Sequence, residues 1–176
     1  MSELYLRKLT LSDEQAFYTL LSEQIISSGA IKGVRLEDGY DYKSFLTKFT
    51  EYENIPFNFY AQSDYPSYQF VLVRKSDEKV VGAVLIRPYL TKTLFEDFEG
   101  NIGYYVSPLE RGKGYAKTAL SLAIQEYKKL NPTSRELYMC CYKENIPSKK
   151  VIVSVGGTLV EELGGIVTPQ KYLIKI

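Results

Sequence analysis

The sequence predicts one α/β domain built on a central mixed, mostly antiparallel sheet of about six to seven strands, flanked by about four helices. Three observations predict it. Two strand-like runs, YQFVLVR (68–74) and KVVGAVLIR (79–87), stand either side of the polar turn 75–78 and read as a hairpin. Strand and helix patterns alternate from 101 to 155, which calls for at least one parallel strand pair. No repeat, low-complexity tract or Pro/Gly/Ser-rich linker divides the 176 residues, so 1–176 reads as a single domain.

The elements follow in order. Residues 4–9, LYLRKL, read as a first strand. Ser12 with Gln15 three residues later is a capping-box pattern, and Ala16, Phe17, Leu20 and Leu21 give the following helix an apolar face. The pattern breaks over 27–39, then 41–50 reads as a second helix through Phe45, Leu46 and Phe49. After the hairpin, 91–100 is a loop with Glu96, Asp97 and Glu99, and 101–106 is a short strand. Residues 114–130 carry Ala116, Ala119, Leu120, Ala123, Ile124 and Tyr127 at helical steps, and Asn131-Pro132 ends that helix. Residues 136–142 are a strand. Asn145 caps a helix over 146–155, with Pro147 tolerated in its first turn and Gly156-Gly157 as its stop. Residues 158–162 and 170–176 are terminal strands.

Composition removes several kinds of chemistry. The chain has no histidine, which excludes a Ser-His-Asp triad, a Cys-His pair and a histidine-based metal site or general base. Its 22 basic and 21 acidic residues nearly cancel, which argues against a nucleic-acid binder acting through bulk charge. Cys140 and Cys141 are adjacent, so on a strand they point to opposite faces and do not form an ordinary disulfide. They suggest a reducing, cytoplasmic compartment, and two cysteines without histidine make a poor zinc site, so no metal is expected. The polar N-terminus is unlike a signal peptide, and no apolar run approaches the roughly 20 residues of a membrane span.

The run 102–117, IGYYVSPLERGKGYAK, is the one that points to a ligand. It reads as a strand, a tight turn and a helix start. Gly112 and Gly114 flank Lys113 and let the backbone approach a ligand closely. A helix N-terminus offers unpaired N–H groups and partial positive charge, and Arg111, Lys113 and Lys117 add to it. That is an anion cradle suited to a pyrophosphate. The bland alternative is that the two glycines only shape a turn. Neither GxxxxGK[ST] nor GxGxxG is present.

Residues 111–116, RGKGYA, resemble the [QR]-x-x-G-x-[GA] signature of GNAT-type N-acetyltransferases, and Val106-Ser107-Pro108 precede them as in that family. Asn145, Ser148, Val151 and Gly156 are similar to the family's N-x-x-[AS]…G-[FG] segment. The resemblance is strongest over 79–162. Gly156-Gly157 and the terminal KYLIKI further resemble an uncharacterised group of predicted bacterial acetyltransferases. The resemblance implies an acyl-CoA N-acyltransferase-like fold, acetyl-CoA as donor with coenzyme A as product, and a small-molecule or peptide amine as acceptor, with no nucleic acid and no membrane as partner. Homodimers are common in that family. It assigns backbone groups of Tyr104, Tyr105 and Val106 to the pantetheine arm and thioester, with a backbone N–H near Val106 as an oxyanion donor. It assigns Arg111, Gly112, Lys113, Gly114, Tyr115, Ala116 and Lys117 to the pyrophosphate, and Asn145 to the pantetheine or the departing sulfur.

Two expected proton-transfer groups are missing. Where many members carry a tyrosine seven residues after the asparagine, this chain has Ile152; where many carry a glutamate five residues before it, this chain has Cys140. The substitutes are Tyr104, Tyr105 and Tyr142 as candidate catalytic tyrosines, each weighed against a packing role, with Tyr115 as a further tyrosine beside the predicted phosphates. Glu96, Asp97 and Glu99 are candidate relays, and Cys140 is read as a small hydrophobe rather than an acyl carrier. The aromatic segment 40–70, with six Tyr and five Phe, lies where the family's acceptor-binding elements sit. The two functional readings are direct acetyl transfer to an amine in a ternary complex, and a non-catalytic acyl-CoA-binding sensor.

Overall fold

The computed structural model describes residues 3–28, 43, 67–90, 99–164 and 168–176. Among these residues, seven strands and three α-helices run in the order β1 (Leu4–Lys8), α1 (Glu14–Ser28), β2 (Tyr68–Arg74), β3 (Lys79–Ile86), β4 (Ile102–Val106), α2 (Tyr115–Leu130), β5 (Glu136–Tyr142), α3 (Ile146–Ser154), β6 (Thr158–Glu162) and β7 (Pro169–Lys175). The helix expected over 41–50 lies outside the described residues apart from Lys43.

The strands divide into a sheet of order β1-β2-β3-β4 and a sheet of order β5-β7-β6. Every ladder among the described residues is antiparallel. The expected parallel pair would be β4 and β5, which the α2 crossover joins, but no ladder forms between them. They meet at a clasp instead. Asn101 donates its N–H to the Tyr138 carbonyl (2.7 Å), and its carboxamide oxygen accepts from the Tyr138 N–H (2.7 Å). Its side-chain NH2 donates to the Arg87 carbonyl at 2.9 Å. One buried asparagine thus ties β3, β4 and β5 at one end. Gly100 permits that approach, since a Cβ there would press on the backbone of residues 138–140.

The main core lies between the sheets and the two C-terminal helices. Phe70, Leu72, Val84, Ile86, Ile102, Leu137, Met139, Tyr172 and Ile174 point into it from alternate strand positions. Ala119, Leu120, Ala123 and Tyr127 form the buried stripe of α2 at helical spacing, as the sequence predicts. Full burial of an aliphatic chain such as Leu120 stabilises by about 1.5–3 kcal/mol. Val71 and Val73 are buried on the opposite side of β2, and Phe17 and Leu20 of α1 are buried outside the main cluster.

The entry to α1 corrects the predicted cap. A 3₁₀ turn over Leu11–Asp13 precedes the helix, and the box pairs Thr10 with Asp13 rather than Ser12 with Gln15. The Thr10 N–H and hydroxyl each donate to Asp13 Oδ2 at 2.8 Å, and Arg7 grips both carboxylate oxygens at 2.6 and 2.7 Å. The bidentate guanidinium makes Asp13 the stronger acceptor and fixes the box two residues earlier.

Candidate active site

The site is built on β4 and the turn that follows it. Ser107 donates its N–H to the Val81 carbonyl (3.0 Å), and Arg87 donates to the Asn101 carbonyl (2.7 Å). With Ala83 opposite Tyr105 and Val84 opposite Tyr104, these bonds set the ladder's alternation. The main-chain groups of Tyr105 turn toward β3. Those of Tyr104 and Val106 turn the other way, toward β5, where no ladder among the described residues receives them, although the Val106 carbonyl accepts the Arg111 Nε–H. An edge of main-chain N–H and C=O groups therefore opens beyond the clasp, and such an edge suits an amide-bearing ligand. Gly82 fits closely beneath it, because any Cβ there would collide with the Tyr105 carbonyl.

The strand runs into a 3₁₀ turn, Pro108–Glu110, and then into the glycine turn. Gly112 and Gly114 both have φ of +79°, and a Cβ on either would meet nothing within 4 Å. Left-handed backbone, not space, selects glycine at these two positions. Gly114 is the N-cap of α2, and the first turn of the helix carries no acidic residue. The N–H groups of Tyr115, Ala116 and Lys117 lie in that first turn, ahead of the ladder that begins with Thr118 N–H to the Gly114 carbonyl at 3.3 Å. Nothing in the first turn offsets the positive end of the helix dipole, which leaves an anion cradle.

The basic residues around the cradle have distinct positions. Arg111 donates its Nε–H to the Val106 carbonyl (3.1 Å) and lies over the Tyr105 ring at 5.5 Å. It braces the end of β4. Lys113 donates to Glu110 Oε2 at 2.7 Å and sits 5.9 Å from the Tyr115 ring. Lys117 is exposed. The Tyr115 phenol turns into the core and donates to Glu3 Oε1 at 3.1 Å, so only its main chain belongs to the cradle.

Sequence reading missed Glu110. Its side chain is 4% exposed and takes three cations: Arg74 at 2.7 Å, Lys79 at 2.9 Å and Lys113 at 2.7 Å. Lys113, Lys79 and Arg74 hold its carboxyl down at about 2, against the burial that pushes the other way. The only signal in the sequence was a carboxylate two residues ahead of Gly-x-Gly in a basic run. Its partners come from β2 and β3, far away in the chain. Asn101 was missed for the same reason.

The candidate tyrosines separate. Tyr104 and Tyr105 point to opposite faces of β4. The Tyr104 phenol packs against the core, and its oxygen is buried with no hydrogen-bond partner among the described residues. Leaving such a group unpaired costs about 1–3 kcal/mol. Burial raises its pKa, the nearby Ser148 hydroxyl works against that, and Cys141 adds to it. Tyr105 lies under Arg111, and Tyr142 is 43% exposed at the end of β5.

Asn145 caps α3. Its carboxamide oxygen accepts the Ser148 N–H at 3.2 Å, and its own N–H donates to the Tyr142 carbonyl at 2.9 Å. Ile152 is 1% exposed in the core, and a Cβ on Gly157 would collide with its Cγ2. Burial pushes the Cys140 thiol up to about 12 and the Cys141 thiol up to about 11. Both are protonated, free thiols near neutral pH, and neither is a ready nucleophile. Glu99 pairs with Arg87 at 3.2 Å. Glu96, Asp97 and all of 40–66 except Lys43 lie outside the described residues. Among the described residues no His/Cys/Asp/Glu group could hold a metal ion, and no helix is long and apolar enough to cross a membrane.

Comparison with known proteins gives this geometry a context. A family model described as an acetyltransferase (GNAT) domain matches residues 3–158. The chain is 26% identical over 153 residues to YnaD of Bacillus subtilis (strain 168), described as an uncharacterized N-acetyltransferase; the match covers 87% of this chain and 78% of YnaD. Among solved structures, the ribosomal-protein-S5-alanine acetyltransferase of Vibrio fischeri superposes with a TM-score of 0.74 at 17% identity, covering 99% of this chain and 94% of that one. The yncA protein of Salmonella typhimurium, solved with its cofactor acetyl-CoA, superposes with a TM-score of 0.70 at 15% identity, covering 99% and 94%.

Proposed function

The chain belongs to the GNAT acetyltransferase family, and from that premise we propose that it moves an acetyl group from acetyl-CoA to a primary amine by direct transfer in a ternary complex. The observation that carries the reading is continuous main chain. The unladdered edge of β4 runs directly into a left-handed glycine turn at the start of α2. This fits a ligand with amides at one end and a pyrophosphate at the other. Residues 112–117 would hold the pyrophosphate through main-chain N–H groups, with Lys113 and Lys117 beside it and Arg111 bracing the strand. The Tyr104 main chain would take the pantetheine amides, and the Val106 N–H would polarise the thioester carbonyl. Asn145, its oxygen committed to the cap, has its NH2 group to offer.

Acetyl-CoA supplies an activated acyl carbon and a thiolate leaving group. A free thiol has a pKa of about 8.5, so the sulfur leaves with moderate help. Holding an unprotonated amine against the carbonyl can lower the barrier by about 7–11 kcal/mol in favourable cases. That suits a chain with no histidine and with half-buried, protonated cysteines. The acceptor in this reading is a small-molecule or peptide amine, and the reaction takes place in a reducing cytoplasm.

The test is thermal. Saturating acetyl-CoA should raise the melting temperature, since ligand at 100 times its Kd adds about 2.7 kcal/mol. An unchanged melting temperature overturns the reading. Thiol release with a polyamine, an aminoglycoside and a free-N-terminus peptide then identifies the acceptor class.

A further inference from the structure

We propose that Glu110 holds Lys79 and Lys113 as a clamp for a second anion beside the cradle, and that this anion is the 3′-phosphate of coenzyme A. The proposal rests on the acetyl-transfer reading and extends it from binding the donor to selecting it. The geometry of the clamp is the first support. The Glu110 side chain is 4% exposed, and its two carboxylate oxygens are divided between the lysines: Oε1 takes Lys79 at 2.9 Å and Oε2 takes Lys113 at 2.7 Å. The two ammonium groups therefore lie within the span of one carboxylate and two hydrogen bonds. Both lysine side chains are half-exposed, while the carboxylate is hidden beneath them. An approaching anion meets ammonium first. Each ammonium has three donors and gives one of them to Glu110, which leaves donors to present outward.

The clamp is assembled from separate parts of the chain. Lys113 stands between the two left-handed glycines of the turn, and Lys79 begins β3. Arg74, at the end of β2, donates to the same Glu110 Oε2 at 2.7 Å and also pairs with Asp77 at 2.7 Å. Within these ion pairs three cations meet two carboxylates, so the cluster keeps an excess of positive charge. Burying a carboxylate is costly unless it is well paired, and an apolar side chain would close the turn as well. What the carboxylate adds is a fixed place for two ammonium groups. Arg111 plays a different part, since its Nε–H is turned back onto the Val106 carbonyl.

The chemistry of the donor supplies the second anion. Coenzyme A carries a pyrophosphate and, one ribose away, a phosphate monoester on the 3′ oxygen. In the acetyl-transfer reading the pyrophosphate falls to the main chain of 112–117. Lys113 flanks that cradle and is also one jaw of the clamp, so a group one sugar removed from the pyrophosphate reaches the other jaw, Lys79. A phosphate monoester carries about −1.5 to −2 charges near neutral pH and offers three acceptor oxygens, which suits two adjacent ammonium groups.

The experiment is calorimetric binding of coenzyme A and of dephospho-coenzyme A, which lacks only the 3′-phosphate, to wild type, Lys79→Gln and Lys79→Arg. Wild type should bind coenzyme A about five- to tenfold more tightly than dephospho-coenzyme A, as two half-exposed charge pairs allow. That preference should shrink as salt is raised. K79Q should lower coenzyme A affinity about three- to fivefold and leave dephospho-coenzyme A within about twofold, because the change in protein and the change in ligand remove the same contact. K79R, which keeps the charge, should retain most of the preference. Should K79Q fold poorly, Lys79→Met, which keeps the length of the side chain, takes its place. Equal affinity of the wild type for the two ligands overturns the proposal and leaves the acetyl-transfer reading standing. A K79Q that weakens both ligands alike also overturns it, since Lys79 would then serve only to pair Glu110. Failure of the wild type to bind either ligand overturns the acetyl-transfer reading itself.

Discussion

The β4–turn–α2 segment and the β5–α3 segment lie either side of the same opening and are built on different principles. In the first, the proposed binding groups are main chain: two left-handed glycines, a helix start without acidic residues and a strand edge without a ladder among the described residues. In the second, the positions where the resemblance implies proton-transfer side chains hold Ile152 in the core and Cys140 as a half-buried, protonated thiol. A binding site made of backbone torsions survives changes of side chain. A site made of side chains does not.

The contrast can be broken at its strongest point first. Gly114→Asp puts a side chain on left-handed backbone and a negative charge at the cradle. It should abolish the acetyl-CoA-dependent rise in melting temperature, a loss of about 2.7 kcal/mol of linkage at 100 times Kd. A persisting shift would mean that the turn binds nothing. Ile152 tests the other segment. I152A should cost about 2–5 kcal/mol in urea unfolding, as core truncations do, with coenzyme A affinity per folded molecule unchanged. I152Y, which installs the family's tyrosine, should destabilise by about 1–3 kcal/mol through overpacking against Gly157 and give no gain in turnover.

Glu110 sharpens the comparison through pH. Its carboxyl is held at about 2 in the fold, below an ordinary value of 4.5. A depressed folded pKa gives stability that is present above 4.5 and is lost as pH falls toward 2. E110Q should flatten the melting-temperature profile between pH 4.5 and 2 and leave Arg74, Lys79 and Lys113 without their shared carboxylate. Coenzyme A affinity should then fall a few-fold, read by calorimetry. The smallest effect is expected at Cys140. With its thiol pushed up to about 12, alkylation of the folded protein near neutral pH should be slow compared with the unfolded chain, and C140A should leave coenzyme A binding unchanged. Rapid alkylation at Cys140 would show that the thiol is not shielded in solution.

Much of this was legible in the linear chain, and particular residues show why. The strand–turn–helix at 102–130 was readable because its signals are local: alternation, Gly-x-Gly, then a stripe at helical steps. Asn145 and the Gly156 stop were readable as caps for the same reason. The α1 cap fell two residues from its predicted place because Arg7 holds Asp13, an interaction that local spacing of Ser12 and Gln15 does not reveal. Glu110 and Asn101 were invisible because their partners lie on other strands.

The order of the described elements, the left-handed glycine turn at the start of α2 and the missing histidine were determined by the sequence alone, since backbone conformation and residue type are properties of short stretches of chain. Which tyrosine of the Tyr104-Tyr105 pair faces α3, which main-chain groups face the open edge, and where β4 parts from β5 were decided only by tertiary structure. Strand alternation specifies that neighbours point to opposite sides; only the ladder with β3 and the Asn101 clasp specify which side is which.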